Sequence, residues 1–147
     1  MKKKLISLLT AVVMALGVAV PAMAEDTASM KGKLVVIHTN DMHGYYETTD
    51  TAIGIAGVAG LKDYYEAQGA DVLLLDAGDF SQGNTLVGYY KGKNAAEYIA
   101  AAGYDAVSMG NHEFDYTFDI LLDNMKVLTD AGVKVVDSNV INKETGK

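Results

Sequence analysis

Apolar and polar positions alternate in blocks along the chain, and each block ends at a cluster of small or polar residues. Lys33 to His38 is an apolar, β-branched run that breaks at Thr39-Asn40-Asp41, and it predicts a strand. From about Ile55 to Gln68 the spacing predicts a helix, with Gly69 as its stop. Asp71 opens the next strand; the continuous apolar run Val72 to Leu75 predicts burial on both faces, and it ends at Asp76-Ala77-Gly78-Asp79. The alternation continues with a helix from about Asn94 to Ala102 stopped at Gly103 and a strand from Asp105 to Met109. A helix from about Thr117 to Ala131 stopped at Gly132 and a strand from Val133 to Asp137 follow. Strands and helices taking turns predict an α/β layered fold with a largely parallel sheet. Glycines 54, 57 and 60 match neither the dinucleotide fingerprint nor a phosphate loop, and read as a loose approach to the first helix.

The first 24 residues differ from the rest. Lys2, Lys3 and Lys4 form a positive start, Leu5 to Val20 an apolar run, and Ala22-Met23-Ala24 a small-x-small cleavage site, which is the layout of a secretory signal peptide. The apolar run is shorter than a membrane span and carries Ser7, Thr10 and Gly17, so export is expected rather than anchoring. The destination is periplasmic, cell-wall or extracellular. Residues 25 to 32 form a small, polar leader.

Removing residues 1 to 24 takes away three lysines and no acid, so 12 basic against 19 acidic residues become 9 against 19, a net charge of −10. The chain contains no arginine, and an acidic surface repels polyanions, so long nucleic acid is excluded as a partner. Zero cysteines exclude disulfides, thiolate metal sites and cysteine nucleophiles. Any metal must therefore be held by carboxylate, amide and imidazole. The remainder is the size of one domain, with no room for a second.

Three strand ends in succession carry polar clusters: Asp41 and His43, then Asp79, then Asn111, His112, Glu113 and Asp115. Each has a glycine beside it (Gly44, Gly78 and Gly110), and the carboxyl ends of strands are where α/β sheets bind ligands. Asp, His and Asn together suit a borderline or hard divalent ion. Asp41 and His43, with one residue between them, can be aimed by a turn at one ion. Asp79 has two oxygens with which to bridge two ions, Asn111 offers an amide oxygen to the second, and His112 can face a substrate.

The stretches His38-Thr39-Asn40-Asp41-Met42-His43-Gly44, Asp76-Ala77-Gly78-Asp79 and Gly110-Asn111-His112-Glu113-Phe114-Asp115 resemble the first three signature blocks of the calcineurin-like metallophosphoesterases. Gln82-Gly83 and Glu113-Phe114-Asp115 favour their 5'-nucleotidase branch. The resemblance runs from about Lys33 onward and implies part of a layered metallophosphoesterase sandwich, truncated on its C-terminal side. It implies two divalent ions, zinc or manganese foremost, with Asp41 and His43 on the first, Asp79 bridging and Asn111 on the second. It also implies that His112 stabilises the transferring phosphoryl group or protonates the leaving oxygen, and that Asp115 holds the imidazole. Family members supply further histidines downstream in a GH and a GHxH block, whereas this chain has only His38, His43 and His112. The missing ligands are expected from residues beyond Lys147, so the 147-residue piece alone is expected to bind metal poorly and to catalyse little.

The remaining polar residues have structural readings. His38 is a strand-end histidine satisfied by backbone, Asp76 a capping or loop-fixing carboxylate, Glu113 a support for its loop, and Asn139 a structural strand end. The tyrosine pairs at 45 and 46, 64 and 65, and 89 and 90 cover the rim of a core, and Asp119, Asp123 and Asp130 form a solvated helix face. The expected function of the full-length parent is hydrolysis of nucleotides to nucleoside and phosphate. The alternatives are a 2',3'-cyclic-nucleotide phosphodiesterase with 3'-nucleotidase activity, and an inactive half-domain whose bare sheet edge favours association.

Overall fold

A computed structural model describes residues 29–141 and 143–146; the expected signal peptide and the leader up to residue 28 lie outside the described residues. Among the described residues no helix is long and apolar enough to cross a membrane. The elements are β1 (Leu34–Thr39), α1 (Gly54–Ala67), β2 (Asp71–Asp76), α2 (Thr85–Tyr89), α3 (Lys93–Ala101), β3 (Ala106–Val107), a 3-10 turn (His112–Phe114), α4 (Phe118–Asp130) and β4 (Lys134–Val135). The strands form one parallel sheet in the order β1-β2-β3-β4. The α/β class and the parallel sheet are as expected.

Chain order equal to sheet order has a geometric consequence. Right-handed crossovers between successive neighbours place every connecting helix on the same face. Ile37, Leu74 and Val107 point to that face and join Val58 of α1, Ala96 and Ile99 of α3, and Leu121, Met125 and Leu128 of α4 in one core. On the other face Leu34 is 63% exposed, Val36 53%, Leu73 39% and Val136 57%. The expectation that Val72 to Leu75 is buried on both faces is therefore corrected, because all the helices lie on one side.

Helix boundaries follow local chemistry. The Thr117 hydroxyl accepts from the Ile120 amide at 3.4 Å and starts α4, whose buried positions Leu121, Asn124, Met125 and Leu128 recur at helical spacing. Asp119, Asp123 and Asp130 lie on its exposed side, as expected. Asn84 caps α2 by accepting from the Leu86 amide at 2.9 Å, and this short helix had no counterpart in the apolar pattern. Glycines 54, 57 and 60 lie inside α1 rather than before it, which corrects their reading as a loose approach.

The last two strands are shorter than expected. The run 105–109 is a strand only over Ala106–Val107, and 133–137 only over Lys134–Val135. Ser108 still donates to the Asp76 carbonyl and Val136 to that of Val107, at 2.9 and 2.8 Å, before the chain turns toward the loops. Of the tyrosine pairs, Tyr46 is not rim but core: it is 8% exposed and its hydroxyl donates to the Phe80 carbonyl at 2.7 Å.

Candidate metal centre

The ends of β1, β2 and β3 lie side by side, so the three loops that follow them meet. Their backbones are tied directly: Asp41 N–H donates to the Gly78 carbonyl and His43 N–H to the Asp79 carbonyl, each at 3.0 Å. Gly78 and Gly110 face each other where the second and third loops touch. A Cβ on Gly78 would strike the backbone of Gly110, and one on Gly110 would strike the Asp79 carboxylate.

Asp41, His43 and Asp79 all have left-handed backbone, with φ of 52°, 47° and 59°. Non-glycine residues enter this region at a cost, on the order of 1–3 kcal/mol each, and persist there only when their surroundings hold them. All three were picked out from the sequence as metal ligands. Lys91, between α2 and α3, is a fourth non-glycine residue in this region, with φ of 51°.

The structure brings His43, Asp79 and His112 together, with one ligand atom from each lying within 4.8 Å of the others. The His43 ring nitrogen Nδ1 is 3.0 Å from the Gln82 carbonyl, which only accepts, so Nδ1 carries a proton there and Nε2 is the nitrogen left for a ligand. Asp79 Oδ1 accepts from the His112 amide at 2.9 Å, leaving Oδ2. The two imidazoles meet edge to face with centroids 5.0 Å apart. Imidazole and carboxylate in one half-buried cluster form a donor set that fits a divalent ion.

Asp41 lies outside this group of three; its carboxylate takes the Asn40 amide at 2.5 Å. Asn111 is exposed at the start of the 3-10 turn. Conversely, His112, read from the sequence as a catalytic group only, stands within ligand distance as well. Its Nδ1 is 2.7 Å from Asp115 Oδ2, the pairing expected for these two residues. That hydrogen bond and the charge of the same carboxylate raise the His112 pKa above its ordinary value, against a smaller opposing effect of burial.

Two buried carboxylates support the loops. Asp76 accepts from the Thr39 hydroxyl at 2.5 Å and from the Gly78 amide at 2.9 Å, which bears out its loop-fixing role. Burial pushes its carboxyl up to about 6 despite those hydrogen bonds. The Thr39 hydroxyl is also 2.9 Å from that of Tyr104, whose phenol burial pushes up to about 12. Glu113, also expected to support its loop, is 2% exposed and accepts four backbone amides. His38 and Asn139 are exposed, and His38 is not among the three convergent donors.

A family model described as calcineurin-like phosphoesterase matches residues 34–145. The chain is 45% identical over 100 residues to a 5'-nucleotidase of Diplobatis ommata, an alignment covering 62% of this chain and 17% of that protein. It is 33% identical over 156 aligned residues to a 5'-nucleotidase of Vibrio vulnificus, covering 100% of this chain and 28% of that protein. Among solved structures, it superposes on the 5'-nucleotidase precursor of Thermus thermophilus with a TM-score of 0.63 and 33% identity, over 72% of this chain and 22% of that one. The chain thus spans less than a third of the length of these relatives. With one-sided parallel sheet, three joined strand ends and these matches in hand, the chain belongs to the metal-dependent calcineurin-like phosphoesterase family, where its relatives are 5'-nucleotidases.

Proposed function

We propose that the chain supplies the first half of the active centre of an exported phosphoesterase that releases phosphate from nucleotides. The convergence of His43, Asp79 and His112 carries this reading, since three side chains from three separate loops share one small volume. His43 and Asp79 would hold metal, with Asp41 and Asn111 as the further ligands that the family resemblance implies and the remaining donors coming from beyond this chain. Divalent ions in such a site neutralise charge on phosphoryl oxygens and supply Lewis acidity.

The protein's own contribution is proton delivery and orientation. Asp115 accepts from His112 Nδ1 and so fixes the ring, leaving Nε2 as the nitrogen that can act on a substrate. The raised His112 pKa keeps a proton on the ring nearer to neutral pH, which suits a group that stabilises the transferring phosphoryl oxygens or gives a proton to the leaving oxygen. The segment of residues 1 to 24 supports export, and the names of the relatives support nucleotides as substrates.

In the full-length natural polypeptide loaded with Mn²⁺, phosphate release from 5'-AMP is expected to exceed that from 2',3'-cyclic AMP. His112→Ala is expected to lower kcat by about 100- to 10,000-fold, and Asp79→Asn to abolish turnover. Normal turnover in either variant would sink the assignment. Preference for the cyclic substrate would move it to the phosphodiesterase alternative.

A further inference from the structure

Glu113 is buried at 2% exposure, and it is not placed to ligate: the group of convergent donors is His43, Asp79 and His112. Its two oxygens divide four backbone donors evenly. Oε2 accepts from Asp79 N–H at 2.9 Å and from Gly110 N–H at 2.7 Å; Oε1 accepts from Phe80 N–H at 2.9 Å and Ser81 N–H at 3.0 Å. Three of these donors belong to the loop after β2 and one to the loop after β3. One carboxylate therefore staples the two loops that carry Asp79 and His112.

Several observations make this more than loop support. The amide of Asp79 is itself one of the four donors, and Asp79 is held at a left-handed φ of 59°. The same Asp79 accepts from the His112 amide, so the two loops are cross-tied twice within a few ångströms. Gly110 donates to Glu113 where it faces Gly78, at the point of closest approach between the loops. A carboxylate with four amide donors is a fully satisfied buried charge, and charge-assisted bonds of this kind are short and strong.

We propose that Glu113 is the positioning residue of the metal centre: it fixes Asp79 and His112 relative to each other before any ion arrives, and its charge favours a cation beside it. This rests on the metal-centre reading given above. The chemistry requires a carboxylate. In Glu113→Gln the amide NH₂ must occupy one of the two oxygen positions whichever way the group is turned, and each of those positions faces two N–H donors. Groups that orient metal ligands from behind typically change metal affinity by about 10- to 100-fold when removed.

The test is Mn²⁺ binding to the full-length natural polypeptide, followed by titration and by the electron paramagnetic resonance spectrum of the bound ion. Glu113→Gln is compared with the unsubstituted protein and with Leu128→Ala, a core variant far from the loops that controls for general destabilisation. Glu113→Gln is expected to weaken Mn²⁺ binding by about 10-fold or more and to alter the spectrum, while Leu128→Ala leaves both unchanged. If Glu113→Gln does not fold, Glu113→Asp replaces it: the charge stays, but the shorter side chain cannot reach both loops, and weakened binding is again expected. Unchanged affinity and spectrum in the Glu113 variant would overturn the proposal, as would an equal loss in Leu128→Ala. Failure of the unsubstituted protein to bind Mn²⁺ would instead overturn the metal-centre reading, and the positioning role with it.

Discussion

Asp76 offers a stability prediction whose sign and size both come from the structure. Its carboxyl is 3% exposed, and burial lifts its pKa from the ordinary 3.8 to about 6 even though Thr39 and Gly78 donate to it. Between those two values the folded protein holds a proton that the unfolded chain has released. Stability is therefore fully present below about pH 4, falls as the pH rises toward 6, and is flat above it. The difference corresponds to about 3 kcal/mol. Asp76→Asn keeps the shape, accepts from Gly78 through its oxygen and donates to the Thr39 hydroxyl, which turns toward Tyr104. The variant has no proton to lose, so it should match the wild type near pH 4 and exceed it at pH 7.5 by up to about 3 kcal/mol. Urea unfolding followed by circular dichroism, with a chelator present to remove metal, measures both at each pH. A stability difference that stays constant from pH 4 to 7.5 would refute the reasoning, because the effect must come and go with the proton.

Two further outcomes are expected. Both side-chain polar atoms of Asn94 are buried without a hydrogen-bond partner, and Asn94→Leu, similar in volume, should raise stability by about 1 kcal/mol in the same urea assay; a clear loss would show that the amide is satisfied. Gly110→Ala drives a methyl group into the Asp79 carboxylate and to 2.7 Å from the Asp79 amide nitrogen, so the melting temperature should fall by the equivalent of about 1–3 kcal/mol; an unchanged melting temperature would mean that the loops are not in contact.

The alternation of apolar runs with turn residues was enough to read the α/β class, because strand and helix periods are local properties. The sheet's one-sidedness was not readable, since Leu73 belongs to the same apolar run as the buried Leu74 and only the strand order separates them. Strand ends drew attention to His43, Asp79 and His112, where polar residues interrupt apolar runs. Glu113 reads from the sequence as a support for its own loop, but its tie to the loop after β2 was not readable, because those partners are backbone amides up to 34 residues away that carry no sequence signal. Asp105 is similar: it read as the start of a strand, yet its carboxylate accepts from the Leu74 amide at 2.8 Å and from Lys62 at 3.0 Å. Helix α2 escaped because its five residues are too few to show a period and its capping by Asn84 depends on geometry.

Because the strands lie in the sheet in the order in which they occur in the chain, each loop of the cluster finds its neighbour one β-α unit away. Closing each unit costs little chain entropy, since that cost grows only with the logarithm of loop length. The His43 contact with the Gln82 carbonyl and the bond from the His112 amide to Asp79 therefore each span a single unit, 39 and 33 residues along the chain. The three loops that carry His43, Asp79 and His112 thus meet through successive units of one sheet, and further donors would join a cluster that neighbouring strands have already gathered.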